Sequence, residues 1–152
     1  MKLDKLFKGL TQIANGDYVL EGDLICEEDL IIDLDDRLVV KGRIQVTKGI
    51  EAGCGIEAGW GIEAGEGIEA GWGIKAGWGI EAKSFIHAEK RIFAGLYIYH
   101  NSKECKKTIK CAELRKGEIC YGDLVIEQPV IEMTVAEIEA KLGIKNLKIK
   151  EC

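Results

Sequence analysis

The sequence predicts an all-β fold, a single-chain β-helix built from hexapeptide repeats, and three observations carry that prediction. Isoleucine recurs every six residues without a slip at Ile44, Ile50, Ile56, Ile62, Ile68, Ile74, Ile80, Ile86, Ile92 and Ile98. Alanine follows two places later from Ala52 through Ala94, so each apolar pair points to one face of a short strand. Gly-X-Gly triplets separate the pairs and read as tight corners whose glycines admit positive φ. A short strand plus a corner at a period of six is the hexapeptide signature of a solenoid.

Taken in chain order, residues 1–17 come first. Leu3, Leu6, Phe7, Leu10, Ile13 and Ala14 share one helical face. That pattern predicts a helix over 3–14, suited to covering the open apolar end that a solenoid exposes. Degenerate hexads follow, with apolar pairs at Tyr18/Leu20, Leu24/Cys26, Leu30/Ile32, Leu38/Val40 and Ile44/Val46. Two extra residues separate Ile32 from Leu38, so 33–37 is expected to bulge out as a loop. The solenoid is expected over 18–100, roughly four to five coils of eighteen residues.

The period alone permits two- or three-sided coils, and the two stack different residues. Three sides place Trp60 under Trp78 and Glu57 under Lys75, both favourable cross-strand pairs, but also Glu63 beside Glu81. Two sides would stack Trp60 on Trp72 and Glu57 on Glu69. Three sides are preferred.

Residues 101–129 read as closing strands, with Arg115-Lys116-Gly117-Glu118 as a hairpin turn. Residues 130–152 form a tail beyond Pro129. There Thr134-Val135-Ala136-Glu137 is a capping box opening a helix through Leu142, Gly143 is a C-terminal cap, and Leu147–Lys150 alternates as an edge strand.

A chain of 152 residues fits one folded unit, with no apolar run of membrane-spanning length and no apolar leader at its N-terminus. The six cysteines lack a framework spacing and read as free thiols of a bacterial cytoplasm, with Cys26 filling the core as a small hydrophobe. Cys105, Cys111 and Cys120 form no CxxC pair, and His100 is the only imidazole near them. No metal or other cofactor is therefore expected.

Charge is distributed unevenly within a net of −5. From Gly9 to Asp36 there is no lysine or arginine, while Asp17, Glu21, Asp23, Glu27, Glu28, Asp29, Asp33, Asp35 and Asp36 fall in that stretch. The repeats add outward acids at Glu51, Glu57, Glu63, Glu69 and Glu81, broken by Lys75. From Lys83 to Lys116 the sign reverses. Glutamate at outward positions serves solubility and opposes edge association. Ordered negative charge on a stiff scaffold also suits competition for a positively charged nucleic-acid channel. Direct nucleic-acid binding does not fit the net charge. Trp60, Trp72 and Trp78 occupy the corner position X, as do Cys54 and Glu66, and are read as solvent-facing anchors for a partner or as shields over the corner backbone.

Catalysis is not expected. The repeat resembles that of hexapeptide acyltransferases in its aliphatic first position, but their small fifth residue is replaced here by Trp60, Trp72, Trp78 or Glu66. Only His87 and His100 are available as a base, and His87 simply occupies an outward glutamate slot. A γ-type carbonic anhydrase would need three zinc histidines.

The Gly-Ile-Glu-Ala-Gly-X array flanked by degenerate hexads resembles small β-helical proteins of phages and prophages of Gram-positive bacteria. The tail from Met133 to Glu139 through Gly143, with Lys148-Ile149-Lys150, is similar to C-terminal modules of such elements. The resemblance implies an anti-defence factor, such as an anti-CRISPR protein, that binds a host nuclease and blocks its nucleic-acid channel or its conformational change. The leading expectation is thus a non-enzymatic inhibitor of a host nucleoprotein nuclease, homo-oligomeric or not. Its contact residues would be Asp23, Glu27, Glu28, Asp29, Asp33, Asp35, Asp36, Glu51, Glu57, Glu63 and Glu69, with Trp60, Trp72 and Trp78 as anchors. The competing expectation is a self-assembling scaffold.

Overall fold

The structure, a computed structural model, describes residues 1–96 and 107–127. It is a parallel β-solenoid of about six coils, with no helix among the described residues. The strands in chain order are β1 (Lys2–Asp4), β2 (Leu10–Gln12), β3 (Tyr18–Leu20), β4 (Leu24–Cys26), β5 (Leu30–Asp33) and β6 (Leu38–Val40). The regular repeats supply β7 (Ile44–Val46), β8 (Ile50–Ala52), β9 (Ile56–Ala58), β10 (Ile62–Ala64), β11 (Ile68–Ala70), β12 (Ile74–Ala76) and β13 (Ile80–Ala82). The last are β14 (Phe85–Ala94), β15 (Thr108–Cys111), β16 (Glu113–Tyr121) and β17 (Asp123–Ile126).

Pairing proves three sides. Every third strand is hydrogen-bonded in parallel, with Ile62 opposite Ile80, Ile68 opposite Ile86 and Ile74 opposite Ile92, each eighteen residues apart. Face 1 stacks β1, β5, β8, β11 and the first half of β14; face 2 stacks β3, β6, β9, β12 and the second half of β14; face 3 stacks β4, β7, β10, β13, β15 and β17. Each strand from β4 to β13 turns its first and third residues inward, which in the regular repeats stacks buried isoleucines in one column and alanines in the next. Burying a full isoleucine side chain is favourable by about 1.5–3 kcal/mol, and the period-six pattern repeats that gain in every coil.

The N-terminal coils are wider. Leu24 pairs with Ile44 and Leu30 with Ile50, twenty residues apart, because the extra residues of 33–37 lengthen the coil. The larger cross-section is filled by Cys26, Ile32, Val40 and Val46 where later coils carry alanine. The segment 33–37 is not wholly the outward loop expected: Asp33 ends β5, and Leu34 turns into the core at 7% exposure.

The glycines of the repeat serve a purpose other than the one the sequence suggested. None of the corner glycines from Gly49 to Gly79 has positive φ. Close approach requires some of them instead: a Cβ on Gly59, Gly65 or Gly71 would collide with the carbonyl oxygen of Lys41, Thr47 or Gly53 in the coil below, whereas one on Gly53 would meet nothing. The corner backbone is itself laddered, Trp78 N to Trp60 O at 3.1 Å and Lys90 N to Trp72 O at 3.0 Å, and that draws successive coils together.

Both ends differ from expectation. The predicted helix over 3–14 is replaced by β1, parallel on β5, and β2, antiparallel on β3. A helix would leave the first coil's strand edges unpaired; extended chain satisfies them, as Ile31 N donates to Met1 O at 2.9 Å. Leu3 still plugs the core, whereas Leu6 is 91% exposed. At the other end, Arg115-Lys116-Gly117-Glu118 is no hairpin: β16 runs through it and pairs parallel to β14. The solenoid therefore extends to Ile126. Residues 128–152, including the expected helix through Leu142 and the strand Leu147–Lys150, lie outside the described residues, as do Tyr97–Lys106.

Candidate functional site

The acids expected to act together are divided by the fold into groups with different partners. Among the N-terminal acids most are engaged within the chain. Asp33 pairs with Lys2 at 2.6 Å, and Asp35 accepts from Lys5 Nζ at 2.8 Å and Tyr18 Oη at 2.7 Å. The Lys5 and Tyr18 bonds hold the Asp35 carboxyl down to about 2. Asp23 and Asp29 accept the backbone N–H of Arg43 and Gly49 in the next coil, each at 3.0 Å, and Asp36 accepts from Arg37 N at 2.9 Å. Glu27 and Glu28 are exposed, with no ion pair among the described residues. Asp17, 6% exposed, is bridged by Arg37 at 2.6 Å, and that guanidinium is the main reason its carboxyl lies below the usual range.

The outward glutamates do not form one column. Glu57 lies on face 2, where Arg37 Nη1 at 2.9 Å and Lys75 Nζ at 3.2 Å neutralise it. Glu51 and Glu69 lie on face 1, directly opposite one another, with Ile31 and His87 as their outer neighbours. Glu63 and Glu81 lie opposite one another on face 3, between Gln45 and Lys110. All four are exposed, and none makes an ion pair among the described residues. Glu66, at the corner between these faces, is exposed as well.

The tryptophans also divide. Trp60 and Trp78 stack with centroids 5.4 Å apart and planes inclined by 19°, as three-sided packing requires. They edge a concavity of about 310 Å3 that includes Glu63 and Glu81. Trp72 stands on another corner, with Lys90 Nζ 4.9 Å from its ring centroid. Position X is not uniformly solvent-facing: Cys54 is 2% exposed, and burial pushes its thiol up.

An open groove of about 810 Å3 follows the edge between faces 1 and 2. The sequence reading missed it. Its floor is one rung column, Arg37–Gly55–Gly73–Arg91, whose members each precede a paired strand residue, Leu38, Ile56, Ile74 and Ile92. The signal available in the sequence was the placement of two arginines at the ends of that eighteen-residue series. At one end Arg37 is tied to Asp17 and Glu57. At the other, β16 cuts the corner: His87 pairs with Lys116 and Arg91 with Glu118, so Gly117 alone spans what residues 88–90 span in β14. Gly117 takes φ +130°, and a Cβ there would come 2.6 Å from Ile92 Cδ1.

Cys111 is buried, Cys120 is exposed, and no group of three or more His, Cys, Asp or Glu side chains is placed to hold a metal among the described residues. No described helix is long and apolar enough to cross a membrane. Compared with known proteins, the chain matches no family model, no curated protein and no solved structure.

Proposed function

We propose that the protein is a non-enzymatic binding module whose acid-laddered faces 1 and 3 dock on a basic surface, and that it thereby inhibits a host nucleoprotein nuclease of the CRISPR type. The observation that carries this reading is the pair of in-register glutamate contacts, Glu51 with Glu69 and Glu63 with Glu81, none of which makes an ion pair among the described residues and of which only Glu81 faces a lysine, Lys110, on the next rung, on a scaffold that neutralises Glu57 twice. Like charges directly opposite in neighbouring strands destabilise a sheet. A cationic partner surface relieves that repulsion on binding. A nuclease channel that grips a phosphate backbone offers such a surface, and a laddered solenoid presents carboxylates at a fixed rung spacing of about 4.8 Å. The N-terminal acids contribute less to contact than their number suggests, since Asp17, Asp33 and Asp35 are already paired.

The scaffold reading is weaker because β1 and β2 close two of the three faces at the N-terminal end. The deciding experiment is a cleavage assay on purified guide-loaded CRISPR nucleases with the full chain, alongside a variant with Glu51, Glu63, Glu69 and Glu81 changed to glutamine. Inhibition that weakens at least tenfold in the variant and falls with added salt is the expected result. Absence of inhibition across the panel, or equal potency of the variant, defeats the proposal.

A further inference from the structure

The groove on the edge between faces 1 and 2 differs in chemistry from the acidic faces. Two glycine rungs, Gly55 and Gly73, add no side chain of their own to its floor between Arg37 and Arg91, a span of three rungs or about 14 Å, and only the Arg37 stem lies against Gly55. Glycine lets a ligand approach the backbone closely. Trp72, 45% exposed, stands on one side of this floor and Phe93 on the other. The N-terminal end is electrically closed, because Arg37 is held by both Asp17 and Glu57. The C-terminal end is open: Lys90 has no acidic partner among the described residues, and Arg91 reaches Glu118 only at 3.9 Å with both side chains largely in solvent. Lys116, paired with Glu89, adds a third cation beside them. In a chain of net charge −5, this groove is thus lined by five cations and three acids.

We infer that this groove binds a small aromatic phosphate, with the ring against Trp72 over the glycine floor and the phosphate between Lys90 and Arg91. A nucleoside monophosphate and a simple aryl phosphate share that chemistry. The volume lies within the range of small-ligand sites. Arginine suits the oxyanion because its planar fork donates two parallel hydrogen bonds, and the half-exposed Trp72 indole, with Lys90 Nζ already 4.9 Å from its centroid, supplies stacking beside that cation. The inference stands apart from the nuclease-inhibitor reading, since it uses a different edge of the solenoid and the opposite charge.

The test is a fluorescence titration of the full chain with AMP, phenyl phosphate, adenosine and inorganic phosphate. Both aromatic phosphates are expected to quench saturably, with adenosine and phosphate each weaker by about tenfold or more, because each lacks one half of the recognition. AMP tighter than phenyl phosphate assigns a nucleotide; equal affinities assign aryl phosphates in general. Trp72→Phe should abolish the quench while Trp60→Phe keeps it, and Arg91→Gln should weaken binding about tenfold. Gly55→Leu should fill the trough, since a Cβ there meets only ordinary contacts, Gly73 O at 3.4 Å and Arg37 Cγ at 3.5 Å. No saturation by either aromatic phosphate up to roughly 10 mM, or quenching unchanged in Trp72→Phe and Arg91→Gln, overturns the site.

Discussion

Gly53 and Gly65 occupy the same place in the repeat, each following the alanine of a strand, yet alanine at the two positions should behave oppositely. A Cβ on Gly65 would lie more than 1 Å inside the 3.0 Å approach that Cβ atoms keep, against the backbone oxygen of Thr47. Backbone cannot swing aside as a side chain does. Relief requires separating the coils, which loosens the bond from Gly65 N to Val46 O, 2.9 Å in the native chain. Losing that bond costs about 1 kcal/mol, and forcing in the extra carbon about 1–3 kcal/mol more. A Cβ on Gly53 meets nothing within 4 Å, and its φ is not positive. There the wider coil made by the extra residues of 33–37 removes the neighbour. Gly53→Ala should be neutral or stabilising by about 0.4–1 kcal/mol through the unfolded chain. In urea denaturation followed by far-UV circular dichroism, Gly65→Ala should lower the midpoint strongly while Gly53→Ala holds or raises it. For a chain of this size the Gly65 effect corresponds to roughly 6–12 °C in melting temperature. Equal midpoints for the two variants would refute the close-approach account of the repeat glycines.

Three further outcomes follow from the same contacts. Asp35 is held at about 2 by Lys5 and Tyr18, against about 3.9 in an unfolded chain, so its contribution is whole above pH 4 and drains away as the pH falls toward 2. Asp35→Asn should therefore lose less urea resistance than the parent between pH 5 and pH 2.5; parallel losses would show that the N-terminal contacts do not form. With Cys105 and Cys152 changed to serine, a thiol reagent should label Cys120 in the native protein and reach Cys26, Cys54 and Cys111 only on unfolding, because burial shields them and raises the Cys54 and Cys111 thiols. Rapid native labelling of more than one thiol contradicts the packing. The Trp60–Trp78 stack should give a coupled near-ultraviolet dichroism signal that Trp60→Phe abolishes and Trp72→Phe leaves intact; loss of the signal in Trp72→Phe as well would indicate two-sided coils.

The sequence by itself determined the solenoid, because a period of six with an apolar pair at i and i+2 admits few other ways to bury isoleucine and alanine. It also determined that Cys26 lies in the core and that Trp60 and Glu57 meet Trp78 and Lys75 once three sides are chosen. Tertiary structure decided what local pattern could not. The helical spacing of Leu3, Phe7 and Leu10 gave way to strands, since the first coil's open backbone edges demand partners that a helix cannot supply. The turn chemistry of Lys116-Gly117 gave way to a continuous strand, since β14 already offered an edge to pair. Stacking also decided which charges meet. The linear run of acids was separated onto three faces, so Glu57 gained two ion pairs while Glu51, Glu63, Glu69 and Glu81 make none among the described residues. The arginines at 37 and 91, far apart in the chain, were brought to opposite ends of one glycine trough. Composition records how many charges a chain carries; only the winding of the coil sets which of them are neighbours.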